Sequence, residues 1–253
     1  MQTRLDVTQT RIIFFDLEFY VPEKNRKEQG FSYNPWHKDS IFLGGSYVIS
    51  LGTRDQINPL DDELRKRIKS HWIWDSKNEK DLVSKFYKLF SSQINSCLEF
   101  NQGISPLVCG IGIQGSDIPV LLALFRKYDY LSDQDAFVFE NYLRILDLSV
   151  LGISFFSNKT YFMYPKKKNE LLNKFFKDQV FESGTSVWGS FEQKNYYEIS
   201  QRNLNEVFYT VRLYYEFKRK IMKLREIEEQ YKKAEKRKLK ELESLQLNEE
   251  VGY

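Results

Sequence analysis

The chain has 253 residues, of which 42% are hydrophobic and 16% aromatic, enough to bury the core of one domain with an appendage. Its 38 basic and 35 acidic side chains nearly cancel to a net charge of +3, which does not by itself indicate a nucleic-acid partner. There is no apolar run of roughly 18 residues and no signal-peptide pattern at the start, so we expect a soluble, cytoplasmic protein without a membrane partner. Cys97 and Cys109 lack metal or disulfide spacing and are predicted to be buried thiols.

The first predicted element is a buried strand over residues 11–16, whose apolar run leads into two acids, Asp16 and Glu18. Side chains alternate across a strand, so acids at i and i+2 point from the same face. Two like charges this close are costly unless a cation lies between them. The pair therefore predicts either a metal site or a solvated strand end, and taken alone it favours the solvated end.

A long polar loop follows over residues 21–39. Loops of this length in a compact domain are usually functional lids or partly disordered. Its basic side chains, together with Phe31, Tyr33 and Trp36, are suited to contact a nucleic-acid strand by charge and stacking. An insertion whose aromatic side chains pack on one another is an equally good interpretation.

The next segments alternate between strand and helix patterns. A strand over residues 41–51 contains two glycines that indicate a bulge or a close backbone approach. Residues 60–68 form a short helix or a connection, and residues 71–74 a short strand. Apolar residues at helical spacing predict an amphipathic helix over residues 78–98.

The second half of the sheet is predicted from four further segments. Residues 106–113 form a glycine-punctuated strand, and a helix begins near Asp117 with Pro119 in its first turn. Residues 142–148 are another strand, and residues 169–176 a helix. This order predicts an α/β fold with a mixed sheet flanked by helices, the order of the ribonuclease-H-like fold.

A continuous helix is predicted from residue 198 to about residue 247. Up to residue 217 it is apolar enough to pack on the sheet, so we divide the chain into a domain over residues 1–217 and a charged helical extension over residues 218–253. The extension has no uninterrupted heptad pattern. It is predicted to be a solvated helix with i,i+4 charge pairs, or else a helix for self-association, a protein partner or nucleic acid.

Two further acids join the first pair in this strand order. Asp117 begins the helix after the fourth strand, and Glu206 lies in the late helix. Both are expected to converge on Asp16 and Glu18. Four carboxylates at one point can hold two divalent ions.

The chain resembles the DEDD-type 3′-to-5′ exonucleases of the ribonuclease-H-like superfamily, especially the stand-alone branch whose last motif reads Tyr-Asn-x-x-Asp-Val. The first motif is matched by Phe-Phe-Asp-Leu-Glu at residues 14–18, and the second by Gly110 and the Asp-Ile-Pro-Val-Leu run at residues 117–121. A Leu-Asp-Leu segment at residues 146–148 also matches. The third motif is matched by Asn203 and Val207, and the resemblance covers about residues 10–217.

The resemblance implies hydrolysis of phosphodiester bonds in DNA or RNA from a 3′ end. Two Mg²⁺ or Mn²⁺ ions, about 3.5 to 4 Å apart, would carry the reaction. It assigns Asp16 to bridge both ions, Glu18 and Glu206 to one, and Asp117 mainly to the other through water. Hard oxygen ligands of this kind suit these ions.

The match departs from the family pattern at several positions. In the second motif, Gly112 stands in the Asn position and Ser116 in the Phe position. In the third, Glu206 replaces an Asp, which keeps the charge one methylene further out. Arg202 replaces the Tyr or His that orients the attacking water, and a guanidinium with a pKa above about 12 cannot act as a base.

Other side chains are candidates for the missing roles. Tyr196 or Tyr197 could supply a hydroxyl that orients water, and His37 could reach the site from the long loop. Asp147 is interpreted as a strand-end acid rather than a ligand. The predicted contacts to substrate phosphates are Arg202, Asn203, Lys166, Lys167 and Lys168.

The sequence leaves two alternatives open. The same fold could serve as a catalytically weakened nucleic-acid-binding or scaffolding protein, or as a related endonuclease or transferase. The choice between DNA and RNA depends on contacts to the 2′-hydroxyl, which no motif here encodes.

Overall fold

The protein is an α/β structure built on a five-stranded mixed sheet. The computed structural model describes residues 9–26, 33–51, 62–101, 103–156, 167–177 and 179–250, with side chains described as far as residue 239. In space the strands follow the order β3, β2, β1, β4, β5. Their bounds are β1 Arg11–Tyr20, β2 Ile41–Leu51, β3 Lys69–Trp72, β4 Leu107–Gly110 and β5 Arg144–Asp147.

Eight helices connect or cover these strands in the described part of the chain. They are α1 Asp62–Arg67, α2 Glu79–Phe100, α3 Asp117–Lys127, α4 Asp133–Tyr142, α5 Leu148–Leu151, α6 Lys168–Phe175, α7 Ser186–Glu192 and α8 Tyr196–Glu250. Among the residues described, no helix is both long and apolar enough to cross a bilayer.

Strand β1 is the centre of the sheet. It pairs antiparallel with β2 and parallel with β4, and Ile13, Phe14 and Phe15 are fully buried. A strand covered on both faces reads as a continuous apolar run rather than as an alternating one. This explains why β1 is apolar up to Asp16, and why it extends beyond the predicted segment to Tyr20.

The main core lies between the sheet and helices α2 and α3. Side chains from β1 contact apolar residues of α2, including Phe15 against Phe90 in an edge-to-face pair with ring centres 5.5 Å apart. The side chain of Asn78 caps α2 by accepting a hydrogen bond from the Asp81 amide. The predicted amphipathic helix is therefore confirmed, with its apolar stripe on the sheet.

The two glycines of β2 lie at a bulge, as predicted. The pairing register between β1 and β2 shifts between Glu18 and Phe19, opposite Gly44. Gly44 has a φ of +117°, and a Cβ atom there would lie 2.0 Å from the carbonyl oxygen of His71. Only glycine fits this close approach of two strands.

The predicted strand over residues 106–113 is too long. It ends at Gly110 because the next residues turn, and the Gly112 and Gln114 amides donate to the carboxylate of Asp147 at 2.8 and 3.0 Å. Gly112 has a φ of +78°, in the left-handed region that favours glycine. The strand predicted at residues 71–74 is likewise shifted, because a 3-10 turn begins at Ile73.

Three helices were not predicted, namely α4, α5 and α7. Helix α4 buries only Ala136 and Phe139, so its apolar spacing is too sparse to stand out in the sequence. Its start is set by Ser132, whose hydroxyl accepts from the Asp135 amide. Residues 60–68 contain helix α1, the first of the two interpretations of that segment.

The chain divides into two compact units, one ending at Leu213 and the other beginning at Tyr214. The predicted boundary at residues 217 and 218 lies a few residues later and stays a prediction. In the second unit residues 222–239 are exposed, and Glu228 pairs with Lys232 at i,i+4. These features agree with a solvated helix carried by charge pairs.

Candidate metal centre

Asp16 and Glu18 reach the same side of the sheet and are almost fully buried, with 3% and 5% of their surface exposed. The side-chain amide of Asn203 donates to both, at 2.9 Å to Asp16 Oδ2 and 3.3 Å to Glu18 Oε1. A solvated strand end is therefore excluded. The pairing of the two acids follows from strand alternation, as predicted.

Helix α8 brings three polar residues of the third motif to these acids. Asn203 and Glu206 are buried, and Arg202 Nη1 lies 2.5 Å from Glu18 Oε1 while its Nη2 lies 2.6 Å from Glu206 Oε1. The guanidinium thus joins a carboxylate of the sheet to a carboxylate of the helix. Its Nε atom is buried without a hydrogen-bond partner among the described residues.

Lys168, the first residue of α6, supplies a second cation. Its Nζ atom lies 2.5 Å from Asp16 Oδ1 and 2.9 Å from Glu206 Oε2. Lys168, Arg202 and Asn203 were predicted to contact substrate phosphates. In the structure, their polar groups instead bind the carboxylates of the site.

Three of the four predicted acids form a tight group. Carboxylate oxygens of Asp16, Glu18 and Glu206 all lie within 4.8 Å of one another, and in the described part of the chain no other set of acidic, His or Cys residues is grouped in this way. Asp117 stands beside this group. Its Oδ1 accepts a hydrogen bond from the Leu17 amide at 3.0 Å, which connects the start of α3 to β1. Its Oδ2 accepts a hydrogen bond from the Ser116 hydroxyl.

Burial is the main influence on the pKa values of these carboxylates. Burial raises the pKa of Asp16 well above its usual range, against the effect of Lys168, and the other acids add to the rise. Burial raises the pKa of Glu18 to about 7, although Arg202 opposes it. Burial also raises the pKa of Asp117. The pKa of Glu206 is lowered, because contacts that include Lys168 and Arg202 outweigh the effect of burial.

The donor set fits a hard divalent cation. Four carboxylates carry four negative charges when ionised, and Lys168 and Arg202 supply two positive charges. When the acids are ionised, two negative charges therefore remain in this buried site. One Mg²⁺ or Mn²⁺ ion would balance them. All candidate ligand atoms are carboxylate oxygens, which these ions prefer.

An open cleft of about 630 Å³ leads to the acids. Asp16, Glu18 and Asp117 line its floor, and Tyr33 and Trp188 belong to its wall. The Trp188 indole donates to the Phe19 carbonyl at 3.0 Å, and the Tyr33 ring packs on the Phe19 ring at 4.5 Å. The cleft thus places carboxylates beside aromatic side chains.

The remaining predicted residues lie in varied places. Lys167 is exposed and lines the cleft, whereas Lys166 lies outside the described residues. Tyr197 is 75% exposed and lines a separate cavity of about 480 Å³, which it shares with Arg202 and Glu206. His37 approaches Asn25 at 3.4 Å and does not line the cleft.

One further acid, Asp147, and one aromatic residue, Tyr196, have structural roles. Asp147 accepts from four donors, the amides of the turn after β4 and the amide and hydroxyl of Ser149, so the strand-end interpretation agrees with its contacts. Tyr196 stacks on Trp74 with ring centres 4.6 Å apart. Neither side chain lines the cleft.

Sequence reasoning missed part of the site. Trp188 lies in the unpredicted helix α7, so nothing in the sequence connected it with the acids. Ser116 was considered as an N-cap and as a departure from the second motif, but not as a partner of Asp117, to whose Oδ2 its hydroxyl donates. In both cases the sequence shows the residue type, but it does not show which residues the side chain contacts in the fold.

Comparison with known proteins gives no further assignment. No family model matches the chain, and no curated protein matches its sequence.

Proposed function

We propose that the protein binds Mg²⁺ or Mn²⁺ at this centre and hydrolyses phosphodiester bonds of DNA or RNA from a 3′ end. The observation that carries this proposal is the charge of the buried site. Four carboxylates surround only two cations, and the pKa of Asp16, Glu18 and Asp117 is raised. A divalent ion would supply the missing positive charge, and a phosphodiester is a substrate that such ions activate.

The topology supports a ribonuclease-H-like assignment. An antiparallel β3-β2-β1 unit continued by parallel β4 and β5 is the arrangement expected for that fold. The acids lie on β1, at the start of α3 and in α8, in the order of the DEDD motifs. The resemblance in sequence and the placement of the acids therefore point to the same family.

Each side chain has a part in the proposed reaction. Asp16, Glu18 and Glu206 would hold metal, with Asp117 beside them. Bound ions of this kind lower the pKa of the attacking water and stabilise the leaving 3′ oxygen. Asn203 orients the carboxylates of β1 through its amide. The half-buried ring of Trp188 in the cleft wall would contact the terminal nucleotide.

In the proposed reaction, the role of Arg202 differs from that of the aromatic residue at this position in the family that the chain resembles. Burial acts to lower its pKa, but Glu18 and Glu206 together raise it above the usual value. The guanidinium therefore stays protonated and takes no proton from water. It serves to hold the two carboxylates in place.

One observation favours a second candidate, a nucleic-acid-binding protein without catalysis. Lys168 and Arg202 already contact all three acids of the tight group. In this alternative the two side chains would stand in for metal permanently, and binding would not depend on a divalent ion.

Labelled oligonucleotides test both candidates. We expect shortening from the 3′ end in Mg²⁺ or Mn²⁺, loss of that activity in Asp16→Asn, and full activity in Glu99→Gln, which removes an exposed acid on α2. The absence of metal-dependent shortening, or equal activity in Asp16→Asn, would refute the exonuclease. Oligonucleotide binding that survives EDTA and Asp16→Asn would then support the second candidate.

A further inference from the structure

The ammonium of Lys168 lies between two carboxylates of the tight group. It bridges a carboxylate of β1 and a carboxylate of α8, at 2.5 Å from Asp16 Oδ1 and 2.9 Å from Glu206 Oε2. Both acids belong to the group whose oxygens lie within 4.8 Å of one another. Joining carboxylates from two elements is what a bridging divalent ion does in a two-metal site.

The position of Lys168 is set by its helix. Lys168 begins α6, and the next turn of this helix buries Leu171 and Leu172 completely. The Leu171 amide donates to the Lys167 carbonyl at 3.0 Å, which closes the first turn. Buried leucines one turn away therefore hold the base of the lysine side chain close to the acids.

The charge of the site matches one additional ion, not two. When all four carboxylates are ionised, they and the two cations leave two negative charges, which a single divalent ion neutralises. A second ion would leave two positive charges in a buried site, unless Lys168 moved away. Without Lys168 the site would carry three negative charges, and a second ion would then be tolerated.

We propose that Lys168 takes the place of one of the two metal ions, so that the centre binds a single divalent cation. The ion would be held by the group of Asp16, Glu18 and Glu206, with Asp117 beside it, while Lys168 keeps Glu206 and Asp16 together. This inference rests on the proposed function, because it concerns the same metal site.

Counting bound Mn²⁺ on the full-length protein tests the inference. Equilibrium titration gives the number of ions, and electron paramagnetic resonance distinguishes an isolated Mn²⁺ from a magnetically coupled pair. We expect one isolated ion in the wild-type protein, and a coupled pair in Lys168→Met, which removes the charge at similar side-chain length. The control Lys167→Met removes the neighbouring exposed charge and should keep one ion.

The outcomes separate this inference from the proposed function. No bound Mn²⁺ in the wild-type protein would refute both. Two ions in the wild-type protein would refute the role of Lys168 while leaving the metal-dependent function intact. One ion in both the wild-type protein and Lys168→Met would also show that Lys168 does not occupy an ion position. If Lys168→Met does not fold, Lys168→Gln is measured in its place, and a single ion in that variant overturns the inference equally.

Discussion

Arg202 is the residue that most changes the chemistry of this site. The exonuclease family that the chain resembles has an aromatic or imidazole group at this position. Here the guanidinium of Arg202 contacts the carboxylates of Glu18 and Glu206, with N–O distances of 2.5 and 2.6 Å. The side chain is largely buried, so the pair is little screened by water. Arg202 therefore links the sheet to α8 whether or not an ion is bound.

Loss of Arg202 should destabilise the metal-free protein strongly. Arg202→Met leaves two buried carboxylates without their partner, and breaking a buried ion pair in this way costs about 3 to 5 kcal/mol. Urea denaturation in EDTA measures the change. The control Arg219→Met breaks an exposed pair with Glu216 and should change stability little. Equal losses in both variants would contradict a structural role for Arg202 in this cluster.

The acids also predict how stability depends on pH. Burial raises the pKa of Glu18 from 4.5 to about 7, so between these values the folded protein binds more protons than the unfolded chain. Stability in EDTA should therefore fall as the pH rises through about 7. The raised pKa values of Asp16 and Asp117 act in the same direction, whereas the lowered pKa of Glu206 adds stability that is lost only as the pH falls below its usual value.

Melting temperatures across about pH 5 to pH 8 measure this dependence. Mn²⁺ should flatten the fall, because a bound ion stabilises the ionised carboxylates. Glu18→Gln should reduce the slope in EDTA, since it removes one of the titrating groups. Identical slopes with Mn²⁺ and with EDTA would show that these acids do not bind the ion.

Among the elements, the bulge in β2 lies directly beside Glu18. The register shift comes directly after Glu18, opposite Gly44, and a bulge re-aims the side chains beside it. The close approach of the His71 carbonyl to Gly44 leaves no room for a side chain. A glycine in β2 is thus linked to the geometry of the metal centre.

Gly44→Ala should therefore affect both stability and metal binding. The Cβ atom would lie 2.0 Å from the His71 carbonyl oxygen on a backbone with positive φ, so we expect a loss of more than about 2 kcal/mol. Mn²⁺ binding should weaken as well. The control Gly189→Ala meets no atom within 4 Å in helix α7 and should be neutral or stabilising. A neutral Gly44→Ala would mean that the strands can separate at the bulge without cost.

In the whole molecule, the metal centre and the charged extension belong to different units. The four acids and both cations lie in the unit that ends at Leu213, while residues 222–239 of the other unit are exposed. The exposed stretch contains apolar side chains, among them Leu224 and Tyr231, between its charges. A role in self-association or in binding a partner stays a prediction.

Removing residues 222–253 should leave the metal centre intact. None of the candidate ligands is removed, so we expect the same number of bound Mn²⁺ ions and the same dissociation constant as in the full chain. Titration of both proteins measures this, and analytical ultracentrifugation of the same samples tests self-association. Loss of Mn²⁺ binding on truncation would contradict an independent centre. A smaller sedimenting species would assign self-association to the extension.

Local patterns were sufficient for much of the fold and for the pairing of Asp16 with Glu18. Strand alternation placed Asp16 and Glu18 on one face, and helical spacing located α2 and the long final helix. The order of strands and helices indicated a mixed α/β sheet. These predictions succeeded because each depends on residues close together in the chain, where the backbone period alone decides the direction of a side chain.

By itself, the sequence placed Asp16 and Glu18 on one face and predicted that Glu206 joins them, whereas Asp117, also expected to converge, stands beside the group. Only the tertiary structure decided what neutralises them. Lys168 lies 152 residues from Asp16 along the chain, and Arg202 lies 184 residues from Glu18, so no local pattern connects these cations with their partners. Their ion pairs form because the sheet, α6 and α8 bring distant charges into one buried space, where an unpaired carboxylate is costly.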